Sequence, residues 1–232
     1  MFASEQGQQR IGRFAWVMAW VGLVVGQLHA MARHATVDGT EDLTYPLTRA
    51  WSEPLSAALS PLLDWASVDT VYLTYGKIWV FVFASFTLCA VVVYQRRRPR
   101  GFEKWVWRVV LGGYAVGTVS VLGQYYGQWT SYNVVGDLSF ALTVPSFLVI
   151  MVGTTVLGIT LLRKGFRPRA TSWMLALQIP LAVGILQVTS MGSAALPIMF
   201  AFAIVGRRLA AEVSAIEEPA AGSSSPASAA RS

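Results

Sequence analysis

The stretch Gln95-Arg96-Arg97-Arg98-Pro99-Arg100-Gly101-Phe102-Glu103-Lys104-Trp105-Val106-Trp107-Arg108 sets six basic residues against one acid. An apolar run of membrane-spanning length lies on each side of it. Lys and Arg are retained on the cytoplasmic face of membrane proteins, and short loops close to span ends set orientation most strongly. The stretch therefore predicts an integral membrane protein with this loop inside the cell.

Composition agrees. Of 232 residues, 54% are hydrophobic and 13% charged, with a mean hydropathy of +0.51. Soluble domains carry about 25% charged residues, so much of this surface must face lipid. A net charge of +6 could suggest nucleic acid, but the charges sit beside apolar spans. Orientation and anionic headgroups account for them better, and no nucleic-acid partner is expected. The single cysteine, Cys89, lies in an apolar segment and excludes an internal disulfide or a paired-cysteine metal or redox site.

Outward from the loop, spans are expected at about 71–94 and 105–127, with Asp69 placed to cap the former. Residues 1–13 are polar and residues 14–33 form a first span, its nineteen residues 14–32 free of formal charge. A cleaved signal peptide ending near Ala30-Met31-Ala32 is the competing reading; the long apolar core favours a retained span. Residues 34–70 form an acidic external loop, in which Leu47, Trp51, Leu55, Leu59 and Leu62 recur at near-helical spacing. They predict one or two short amphipathic helices on the outer membrane surface.

Beyond the external turn 128–136, Asp137 is placed to cap a fourth span over 138–162. Residues 170–206 are uncharged for 37 positions, too long for one helix, and Met191-Gly192-Ser193 offers a turn. Two spans follow, about 171–190 and 193–206, with kinks expected at Pro180 and Pro197. The tail 209–232 is expected to be cytoplasmic and largely disordered. With both termini inside, only Arg33, Arg49 and Lys77 of 18 Lys and Arg fall outside; five spans would expel Arg207 and Arg208. The fold class is thus an all-α, six-span bundle, and the location a bacterial cell (inner) membrane.

Polar residues gather at one depth on the outer side. Gln27, His29, Arg33 and His34 end the first span; Tyr72, Tyr75 and Lys77 open the second; Gln124, Tyr125 and Asp137 flank the third-to-fourth turn. Lys77 is the sharpest of these, since an ammonium near the hydrocarbon must snorkel, pair or serve a ligand. Asp69 and Asp137 are its expected partners. His29 and His34 are five residues apart, about 140° around a helix, so they do not share a face and predict no metal or haem site. No hydrolase, P-loop or dinucleotide motif is present, and no cofactor is expected.

Three small-xxx-small patterns, Gly22/Gly26, Gly113/Gly117 and Gly123/Gly127, permit close helix approach. They support a non-catalytic membrane subunit that packs against lipids, other membrane proteins or a second copy of itself. The rival is a small transporter or ligand-binding protein with an outward pocket lined by His29, Lys77, Gln124, Tyr125 and Asp137. A membrane enzyme using His29 as a base would need a nucleophile that nothing in the sequence marks.

Overall fold

The computed structural model describes residues 4–127 and 134–221, with side chains to residue 211. Every regular element among them is helical. Helix α1 spans Glu5–His34; a 3-10 turn (Thr40–Thr44) and the short helices α2 (Pro46–Ala58) and α3 (Ser60–Leu63) follow. Then come α4 (Val68–Gly76), α5 (Ile78–Arg97), α6 (Phe102–Tyr126) and α7 (Val134–Arg163). Helices α8 (Arg169–Ala176) and α9 (Gln178–Leu186), a 3-10 turn (Met191–Ala195) and α10 (Leu196–Ala221) complete the chain.

Five stretches are long and apolar enough to cross a membrane: α1, α4 with α5, α6, α7, and Met191–Ala211. Helices α8 and α9 make a sixth if taken as one element bent by 64°. Val144, Leu148 and Val152, one turn apart on α7, are exposed to the surroundings. Such a stripe is at home in lipid rather than water. The chain is a multi-pass membrane protein.

Several local expectations change. Ser67, not Asp69, caps α4: its hydroxyl accepts from the Thr70 N–H at 3.4 Å, and Asp69 lies in the first turn. Asp137 likewise lies inside the first turn of α7. Pro197 sits in the first turn of α10, where its missing N–H costs no helical bond and no kink is needed. Pro180 occupies the first turn of α9, just past the break at Leu177, so the bend precedes it. Buried Gln178 steadies that bend by donating to the Ala194 carbonyl at 2.8 Å. The turn expected over 128–136 falls mostly outside the described residues.

At the basic end, α5 closes on Arg98 at φ 46° and α6 opens after Gly101 at φ 59° and ψ −135°. The latter conformation suits glycine, which has no Cβ to clash. Glu103, the one acid of the basic stretch, is 3% exposed. It accepts from Arg97 and lies 3.0 Å from the Lys164 ammonium, tying the α5–α6 loop to the α7–α8 loop. Nearby, α1 and α10 touch backbone to backbone at Gly12 and Gly206, where a Cβ on either would overlap the other.

At the opposite end, α2 docks on the loop after α9. Thr48 donates to the Gln187 carbonyl at 3.2 Å and the Trp51 indole to that of Val188 at 2.5 Å. Thr48 and Ser52 are buried, while Leu47, Leu55 and Leu62 point outward. Helix α2 thus binds the bundle by its polar side and leaves Leu47 and Leu55 to the surroundings, as α3 leaves Leu62.

Candidate functional site

The centre of the polar layer at the α2–α3 end is His29, 2% exposed and held on three sides. The Trp79 indole N–H donates to His29 Nδ1 at 3.1 Å. Indole is a donor only, so Nδ1 must be the bare nitrogen and the ring proton sits on Nε2. Nε2 lies 3.1 Å from the Tyr125 hydroxyl, which receives that proton's hydrogen bond. Tyr125 must then donate its own O–H elsewhere; the Tyr72 hydroxyl is 3.5 Å away. The Tyr72 ring stacks on the imidazole, centroids 4.7 Å apart and 23° from parallel.

Glycines aim this network. A Cβ at Gly26 or at Gly192 would meet the Trp79 ring at 2.9 and 3.1 Å, so the indole lies in a slot between the two. A Cβ at Gly76 would overlap the Tyr125 ring. Its absence lets α6 bring that hydroxyl up to α1. The same crowding lies where α4 passes into α5 through one tight turn at Lys77, whose N–H reaches the Thr74 carbonyl at 3.3 Å.

The network forms one wall of a cavity of about 110 Å³ between α1, α5, α6, α7 and the start of α10. Towards the α2–α3 end stand Arg33, Tyr72 and Gln124; towards the bundle's middle stand Phe86, Ile150 and Ile198. Arg33 is balanced by Asp42, which accepts from its Nε at 2.9 Å. Phe140 and Met191 are half exposed and flank the way out, sideways between α7 and the turn preceding α10. The cavity thus grades from polar towards the α2–α3 end to apolar towards the bundle's middle.

Of the expected pocket residues, His29, Gln124 and Tyr125 meet at this cavity. Lys77 and Asp137 do not line it: the Lys77 ammonium lies 5.0 Å from the Tyr126 ring centroid, and Asp137 is exposed. Lys77 is five residues from Tyr72, so a helix that turns Tyr72 inward turns Lys77 away. His34 also parts from His29, facing Trp51 with ring centroids 6.3 Å apart. Trp79 went unmarked because a lone Trp in an apolar run reads as core; only its partner on another helix gives it a task.

The glycine patterns pack this chain's own helices. Gly22 meets Val82 and Met199, Gly113 meets Val149, and Gly117 meets Ile150 and Phe83. Gly123 approaches Ser139, and Gly127 approaches Val135. Both nitrogens of His29 being engaged, its ring is placed to hold its neighbours rather than to take a proton from a substrate. Comparison with known protein families, curated proteins and solved structures finds no match for the chain.

Proposed function

We propose that this is a six-span protein of the bacterial cell membrane that binds a small lipophilic molecule bearing an oxygen-containing head. The basic end and both termini face the cytoplasm, and the α2–α3 end faces out. Support for six crossings comes from α8 and α9. They leave the basic loop 163–169 and finish where Gln187 and Val188 meet α2, the far end of the bundle.

The observation that carries the ligand reading is the graded cavity with its sideways opening. Hydroxyl and amide groups at one end suit a carbonyl or hydroxyl; aromatic and aliphatic side chains at the other suit a ring or the start of a chain. A closed cavity of about 150 Å³ takes up benzene; this one, at about 110 Å³, is smaller, so a single-ring head enters it in part and its remainder leaves past Phe140 and Met191. A molecule dissolved in the outer leaflet would reach it without crossing water. Because the Gly22/Gly26, Gly113/Gly117 and Gly123/Gly127 patterns are engaged inside the chain, they offer no seam that would favour a partner subunit instead.

The test is a thermal unfolding shift in detergent with a one-ring aryl ketone as probe, beside mass spectrometry of the organic extract. The protein should gain stability with the ketone, and Ala195→Leu, which fills the cavity, should not. Equal shifts in both, with nothing organic in the extract, would remove this reading.

A further inference from the structure

A second concavity, about 360 Å³, opens at the basic end between α5, the α7–α8 loop and α10. Arg96, Arg97, Arg167 and Arg208 all line it. Their charges are unevenly met. Arg97 is paired with Glu103 and lies 5.3 Å from the Phe166 ring centroid. The Arg96 Nε donates to the amide oxygen of Gln8 at 2.5 Å. Arg167 and Arg208 are exposed and form no ion pair among the described residues. Guanidinium forks match phosphate oxygens in pairs, so the groove is suited to a phosphate.

The floor decides between kinds of phosphate. Val93 on α5 and Val205 and Leu209 on α10 are buried and share this groove with the arginines. A free phosphate would use only the charged rim. A phospholipid would use both, with its phosphate on the arginines and its glycerol and first methylenes against half-buried Phe166 and the edges that Val93, Val205 and Leu209 leave open. Basic hollows between spans are where anionic headgroups settle. We infer that the groove is a specific site for an anionic phospholipid of the leaflet at the basic end. The lipid fills the junction of α5, the α7–α8 loop and α10, a contact independent of the cavity around His29.

Native mass spectrometry of protein released from nanodiscs of phosphatidylcholine with a minor share of phosphatidylglycerol tests this. Wild type should retain phosphatidylglycerol preferentially. With the surface attraction of two arginines lost, the double variant R167Q/R208Q should retain it about thirty-fold less tightly. R167K/R208K, which keeps the charge and loses the fork, should fall between them. R100Q/R108Q removes the same charge from outside the groove and should behave as wild type. Circular dichroism on each sample confirms that all four are equally helical. Equal losses in R167Q/R208Q and R100Q/R108Q would reduce the effect to net charge and overturn the site. Displacement of the lipid by inorganic phosphate would assign the groove to a soluble anion instead, and equal retention of phosphatidylcholine would overturn it outright.

Discussion

The indole N–H of Trp79 donates to Nδ1 of His29, and that one bond decides which nitrogen of a buried imidazole carries the proton. With Nε2 protonated, the ring donates towards Tyr125, and Tyr125 must itself be a donor. The direction of the whole network follows from a residue that has no acceptor. Nitrogen-15 spectra of labelled protein should therefore show His29 as the neutral Nε2–H tautomer. A proton found on Nδ1 would contradict the arrangement.

Replacing Trp79 with Phe keeps a ring in the slot but strands Nδ1 in the interior. A buried acceptor without its partner costs about 1–3 kcal/mol. The unfolding midpoint of Trp79→Phe in detergent should fall accordingly, and an unchanged midpoint would mean that the bond carries no stability.

Gly76→Ala places a methyl where the Tyr125 ring lies, whereas Gly184→Ala meets nothing within 4 Å. Overpacking of this kind costs about 1–3 kcal/mol. In a helix, Gly to Ala alone gains up to about 1 kcal/mol. Thermal unfolding should thus separate the two variants in opposite directions, Gly76→Ala losing stability and Gly184→Ala holding or gaining it.

Glu103→Gln removes the carboxylate shared by Arg97 and Lys164. The two basic loops should then part, read as faster protease cleavage within 98–101 and 164–168. Because Glu103 is shielded, the wild-type contact should resist added salt that would screen the exposed Arg49–Glu53 pair. Cleavage of the variant at the wild-type rate would show that the tie holds nothing.

Lys77→Met should leave binding of the aryl ketone intact, since Lys77 stands over Tyr126 rather than at the cavity. Gln124→Leu, which alters the polar end of the lining, should weaken it by about three- to ten-fold, the worth of one net hydrogen bond. The reverse order would return Lys77 to the site.

For orientation, cysteines introduced at Glu41 and at Arg100 should react with a membrane-impermeant maleimide on opposite sides of intact cells. The native Cys89 is fully buried and should stay silent. Labelling of Arg100→Cys without permeabilisation would invert the proposed topology.

What the sequence revealed and what it hid divide along a physical line. Apolar length and basic loops are properties of single segments, so the helices of membrane-spanning length and the basic end of the bundle were legible from Arg96 to Arg108 outwards. His29, Gln124 and Tyr125 could be placed at one depth because depth is counted along a helix. Direction around the helix axis was not legible for Lys77 and Asp137: their charge drew attention, yet both are directed away from the cavity. Trp79, Gly76 and Glu103 take their meaning from a residue on another helix, and neither Gly12 nor Gly206 has a second glycine four residues away on its own helix.

The contact of Gly12 with Gly206 has a consequence in time. Helix α1 leaves the ribosome long before α10 exists, yet each supplies part of the cavity wall, His29 from one and Ile198 from the other. Until the later helix inserts, the earlier one must wait in the bilayer with its glycine flank open. Any chaperone or insertase that shelters α1 has that interval in which to act. A nascent chain arrested before α10 should hold no ligand, however complete its other helices are.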